Sequence, residues 1–114
     1  MALGDLEREV MTQLWEAGEP LTVRQVHERV RRDLAYTTVM TVLDRLAKKG
    51  VVLQEKVDRA YRYAPAQTRE EMTAGLMLDA LQATPDRDAA LAHFVGRLSP
   101  EALAAAIEAA KKGG

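Results

Sequence analysis

Apolar and polar positions follow two different periods along this chain, and the stretch from Ala35 to Lys49 has the helical one. At about 100° per residue, Val39, Val42, Leu43 and Leu46 fall in one narrow stripe. Thr37, Thr41, Asp44 and Lys48 line the opposite side, flanked by Met40 and Arg45. A helix built only for solvation favours Glu, Lys and Gln, whose straight side chains lose least entropy. This one exposes threonines near its start and gathers Arg45, Lys48 and Lys49 toward its end. Threonine can bond a base edge or lay its methyl on thymine, and the later cations are set to meet phosphates. The plain alternative is a solvated helix whose lysines suit the negative end of its dipole.

Two helices are expected ahead of it. The first spans about Asp5 to Ala17, with Leu6, Val10 and Leu14 as its stripe, Leu3, Met11 and Trp15 widening it, and Gly18 and Pro20 as the stop. Trp15 reads as a core aromatic. The second opens on Thr22-Val-Arg-Gln25, a capping box, buries Val23, Val26 and Val30, and ends in Arg31-Arg32-Asp33. Ala35 offers no side-chain oxygen to the third helix, although Thr37 and Thr38 stand in its first turn. Two short helices, the second exposing Thr and basic groups, outline a helix-turn-helix.

After Gly50, a C′ glycine, the period drops to two. Residues 51–57 and 60–64 read as two strands of a hairpin, ended by Pro65. Asp58-Arg59 is not a preferred primed-turn pair, so a loop longer than two residues is expected. Arg59, with Lys56 and Arg62 nearby, makes the hairpin a basic projection. The predicted fold is mainly α with a small β-hairpin: a winged helix-turn-helix over residues 1–65, followed by a helical dimerisation region over 66–114. In that second region Thr68-Arg-Glu-Glu71 starts a helix to about Thr84. Pro85 behind Thr84 opens another, and Ser99-Pro100 a third. About fifty residues with apolar positions spread around the helices cannot bury themselves alone. Self-association is the simplest solution, with Met72, Leu76, Leu91, Phe94, Val95, Leu103 and Ile107 at the interface.

Charge sharpens this division. The 114-residue chain has a net charge of −1, but residues 24–62 hold ten basic against five acidic side chains, and residues 65–114 five against seven. The first region suits phosphate and the second does not. No Cys occurs, which excludes disulfides, Cys-based zinc sites and thiol catalysis. The start resembles no signal peptide and no stretch nears the roughly 18 apolar residues of a membrane span, so a cytoplasmic protein without membrane insertion is expected. No acid pair, Ser/His/Asp set or phosphate-cradling Gly loop stands at useful spacing; neither enzyme activity, metal nor cofactor is expected. His27 and His93 read as ordinary surface or interface histidines.

The segments Tyr36-Thr-Thr-Val-Met-Thr-Val-Leu-Asp-Arg-Leu-Ala-Lys-Lys-Gly50 and Arg59-Ala-Tyr-Arg-Tyr63, with Leu3 through Trp15 and Thr22-Val-Arg-Gln-Val26, resemble the penicillinase repressor family (BlaI/MecI/CopY type). The resemblance spans residues 3 to about 110 and is most specific in the Thr-Thr-Val segment. It implies a dimeric transcriptional repressor binding a palindromic double-stranded DNA operator, with β-lactamase-type resistance genes as targets. The copper-responsive branch's Cys-rich tail has no counterpart here. The β-lactamase branch is inactivated by a membrane sensor-protease, and the matching regulatory cleavage pair is His93-Phe94, where the best-known members carry Asn-Phe. For base edges the candidates are Thr37, Met40, Thr41 and Arg45; for backbone and wing contacts, Tyr36, Lys48, Lys49, Arg59 and Arg62. Two other readings stand beside this one: a winged helix that docks on protein, and a repressor of the same fold with unrelated targets.

Overall fold

The computed structural model describes residues 3–30 and 33–113. Arg31 and Arg32, read from the sequence as the end of the second helix, lie outside them, as do Met1, Ala2 and Gly114. The elements run α1 (Asp5–Ala17), β1 (Leu21–Thr22), α2 (Val23–Arg29), α3 (Tyr36–Lys48), β2 (Val52–Val57), β3 (Ala60–Pro65), α4 (Arg69–Ala83), α5 (Arg87–Gly96) and α6 (Pro100–Gly113). The chain is mainly helical, with a small antiparallel sheet. It divides into two compact units, one reaching Gly75 and the other starting at Leu76.

The first unit is a winged helix, and its helix ends are set by local chemistry. At α1 the Gly4 N–H donates to Glu7 Oε1 at 3.1 Å, while glycine has no side chain to return the bond. At α2 both halves of the capping box form: Gln25 N–H donates to Thr22 Oγ1 at 3.2 Å, and Thr22 N–H to Gln25 Oε1 at 2.9 Å. The α3 stripe is as the period requires, with Val39, Val42, Leu43 and Leu46 all buried. A reversal follows at Gly50, whose φ of +77° only glycine adopts cheaply. There Gly50 N–H donates to the Ala47 carbonyl and Val51 N–H to that of Leu46, the paired bonds that satisfy a helix's last carbonyls and turn the chain back over itself. Val51 is thereby buried against the same core as Leu46.

That core gathers Val10, Met11 and Leu14 from α1, Val23 and Val26 from α2, the α3 stripe, and Leu21, Val52 and Tyr63 from the sheet. Leu6 and Trp15, both expected in the core, are only half-buried and pack against it. Trp15 Nε1–H donates to the Gln67 carbonyl at 2.9 Å, and the Arg69 guanidinium stands 5.3 Å from its ring centroid. Both contacts fasten the start of α4 to α1 within the first unit.

Two expectations about the sheet are corrected. The hairpin loop is two residues long, with Val57 paired to Ala60. Asp58 and Arg59 occupy the left-handed region at φ 51° and 69°, as a primed turn requires. Left-handed backbone costs a non-glycine residue about 1–2 kcal/mol, which the six-pair ladder and the packing of Val52 and Tyr63 offset. The sheet also has a third strand that the sequence pattern does not predict. Leu21 and Thr22 pair with Tyr63 and Arg62, making the order β1-β3-β2. Two residues are too few to show a period.

In the second unit, and along α4 as a whole, no described residue is buried. The α4 capping box forms as read: Thr68 N–H donates to Glu71 Oε1 and Glu71 N–H to Thr68 Oγ1. The Ser99 start of α6 forms too, with Ala102 N–H donating to Ser99 Oγ. The start of α5 differs from expectation: the helix opens at Arg87 rather than at Pro85 behind Thr84, and Asp86 is its cap, its carboxylate accepting from Ala89 N–H at 3.0 Å. Among the described residues no helix is long and apolar enough to cross a membrane.

Candidate nucleic-acid interface

Burial of the four-residue stripe rotates the rest of α3 outward. Thr37, Met40, Thr41 and Arg45 are all exposed on it, and Tyr36 stands exposed in its first turn. The face is shallow at Thr37 and Thr41 and deeper at Met40, whose thioether can adapt to an apolar contour. Thr41 Oγ1 donates to the Thr37 carbonyl at 2.9 Å. With its proton spent on the helix, the hydroxyl presents lone pairs and a methyl outward. In this rotamer it accepts from a base amino group or packs on a thymine methyl.

The cations differ in how firmly they are held. Lys48 Nζ lies 3.2 Å from Asp44 one turn back, both side chains largely exposed; such surface pairs contribute a few tenths of a kcal/mol and exchange readily for phosphate. Lys49 is tied elsewhere. Its Nζ lies 2.9 Å from Glu7 Oε2, and the Glu7 side chain is only 16% exposed. Glu7 thus uses one oxygen on Lys49 and the other on the Gly4 N–H, joining the end of α3 to the start of α1. The phosphate role read for Lys49 competes with this tie.

The Glu7 carboxyl is held below its usual range, first by the hydrogen bond from Lys49 and next by that from the Gly4 amide, against the opposing effect of burial. A carboxyl with a lowered folded pKa stabilises the fold while ionised. Its contribution is complete above the unfolded value and is lost as pH falls through the folded one. Glu7→Gln should therefore cost up to about 1 kcal/mol near neutral pH and almost nothing in acid, where the wild-type group is also neutral. Thermal melts of both proteins at the two pH values check this; a gap that widens in acid would contradict it.

On the wing, Arg59 occupies the hairpin tip, and Arg62 sits half-buried on β3 in register with Glu55 on one side and Thr22 on the other. The Tyr-x-Tyr strand splits its labour. Tyr63 is buried, its hydroxyl accepting from Gln54 Nε2 at 3.0 Å. Tyr61 is exposed, with Lys56 Nζ 5.9 Å from its ring centroid.

His27, read as an ordinary histidine, has an internal role. Its Nε2 lies 2.7 Å from the Leu34 carbonyl, and its ring meets that of Tyr36 edge-on, with centroids 5.9 Å apart. Only the fold brings these residues together. Among the residues read as dimerising, Leu76, Leu91, Phe94 and Ile107 are exposed, whereas Val95 and Leu103 are half-covered. Met72 packs against the first unit's core, which explains its apolar character within one chain. His93 and Phe94 are exposed on α5. Among the described residues no group of three or more His, Asp or Glu could hold a metal ion.

The sequence matches the penicillinase repressor family over residues 3–111. Transcriptional regulator BlaI from two strains of Mycobacterium tuberculosis is 62% identical over 104 residues, covering 87% of this chain and 75% of that protein. Among solved structures, a MarR family protein from Bacillus stearothermophilus aligns with a TM-score of 0.54 at 19% identity, over 98% of this chain and 73% of that one. BpsR of Bordetella bronchiseptica, whose DNA binding is regulated by 6-hydroxynicotinic acid, aligns with a TM-score of 0.50 at 14% identity, over 98% and 76%. At such identities the likeness is one of fold.

Proposed function

This chain belongs to the penicillinase repressor family, and we propose that it represses transcription as a homodimer on a palindromic operator, with β-lactamase-type resistance genes as its targets. The observation that carries this reading is the outward face of α3. Thr37, Met40, Thr41 and Arg45 stand exposed on a helix whose other side is locked into the core. These groups suit the major groove, where hydroxyl, methyl and guanidinium discriminate base edges. Tyr36, Lys48 and the wing residues Arg59 and Arg62 then hold register on the phosphates. Two such heads on a two-fold axis would match the two halves of a palindrome. Their union is supported by Leu76, Leu91, Phe94 and Ile107, which lie uncovered in one chain. Sensor-protease inactivation at His93-Phe94 would require local unwinding of α5, since that peptide bond lies inside the helix.

The test is a binding titration on the duplex that the protein itself selects from a randomised pool, beside an unselected duplex. Thr41→Ala should lose on the order of 1–3 kcal/mol on the selected duplex and little on the other. Lys48→Ala should weaken both alike and flatten the dependence of log affinity on log salt by about 0.9. Equal losses for Thr41→Ala on both duplexes would remove it from base reading.

A further inference from the structure

The recognition helix begins without a side-chain cap, because its N-cap is Ala35. At its first turn the Thr38 and Val39 N–H groups donate to the Ala35 carbonyl, at 3.1 and 3.3 Å. The N-cap side chain therefore does not fix the direction from which the chain enters α3. His27 is the group in place to do so. It projects from the last turn of α2, a helix immobilised by buried Val23 and Val26, and reaches seven residues ahead to the Leu34 carbonyl at 2.7 Å. For a carbonyl to accept, Nε2 must carry the proton. The same ring meets Tyr36 edge-on, and Leu34 is itself half-buried against the core. One side chain thus grips the residues on both sides of Ala35.

We propose that His27 is a positioning residue for DNA reading, holding the Leu34 carbonyl and the Tyr36 ring so that α3 is presented at a fixed angle. The proposal rests on the DNA-reading function above. Base contacts are directional and fail when the helix swings, whereas attraction to phosphates is long-ranged and tolerates reorientation. His27 therefore governs the ratio of selected to unselected binding rather than affinity in general.

The experiment uses the full chain with His27→Ala, His27→Gln and His27→Phe. Gln carries an amide N–H at about the reach of Nε2, and Phe keeps a ring against Tyr36 without the donor. Two quantities are read: the affinity ratio between the pool-selected and an unselected duplex, and amide hydrogen exchange of the DNA-free protein. For His27→Ala the ratio should fall about tenfold, the loss of roughly one good base contact, with the salt dependence unchanged. Exchange at Thr38 and Val39 should quicken, while Leu43 and Leu46 keep their wild-type rates. His27→Gln should restore both readouts and His27→Phe should not; this comparison stands even if His27→Ala folds poorly. Wild-type exchange at Thr38 and Val39 in His27→Phe, or an unchanged affinity ratio, would overturn the proposal. A wild-type protein that selects no duplex would refute the repressor reading instead, and the exchange measurements would then decide whether the clamp exists.

Discussion

A chain cut after Gly75 is expected to stay folded yet lose a factor of about 10² to 10⁴ in affinity for a two-half-site operator, the advantage that tethering gives a second head. The cut belongs there rather than at the start of α4. Trp15 bonds the Gln67 carbonyl, Arg69 lies over the Trp15 ring, and Met72 packs on the core. Removing residues from Thr68 onward would strip the Arg69 and Met72 contacts, leave Gln67 at a chain end, and confuse unfolding with loss of the proposed dimer. In the full-length chain, Leu91→Asp should have the same effect. Leu91 is 44% exposed in one protomer, so the charge is tolerated there, but a dimer covering it would bury an unpaired carboxylate at several kcal/mol. Sedimentation equilibrium gives the oligomeric state, and titration on full and half operators gives the affinities. A full-length monomer at micromolar concentration whose operator affinity survives the cut would remove the dimer from the mechanism.

Leu43→Ala should cost about 2–5 kcal/mol of stability, the range for truncating a fully buried leucine where the surroundings close only partly. Leu43 has no exposed surface and shares its core with Val10, Met11 and Leu14 of α1. Small domains hold about 5–15 kcal/mol in total, so a large part of the molecules would be unfolded on modest warming. Thr41, two residues away on the opposite face, should show the reverse profile: Thr41→Ala leaves the denaturation midpoint within about 0.5 kcal/mol of wild type while impairing operator binding. Urea titrations followed by circular dichroism, set beside binding measured well below the melting temperature, separate the two. If Leu43→Ala proved neutral in stability, the α3 stripe would not be the core-facing side, and the assignment of the reading face would fall with it.

Much of this architecture is local and therefore legible in the chain. The stripe of α3, the capping boxes at Thr22 and Thr68, and the Gly50 reversal each depend on residues within one or two turns of one another. So does the orientation of the candidate reading face: once Val39, Val42, Leu43 and Leu46 are buried, helical geometry leaves Thr37, Thr41 and Arg45 outside. Tertiary structure decided what distance in sequence conceals. β1 exists because Leu21 and Thr22 meet β3 some forty residues later. The two-residue turn at Asp58-Arg59 holds because the strand pairing outweighs its local preference. Lys49, read from the sequence as a phosphate contact, is paired with Glu7, and Met72 joins the first unit's core. His27 shows the difference most clearly. Its residue type and spacing say nothing in particular, and the role proposed for it rests on the fold, which places the Leu34 carbonyl and the Tyr36 ring against it. Periodicity and caps are short-range free energies written at adjacent positions, whereas a hydrogen bond between distant side chains depends on where every intervening element packs.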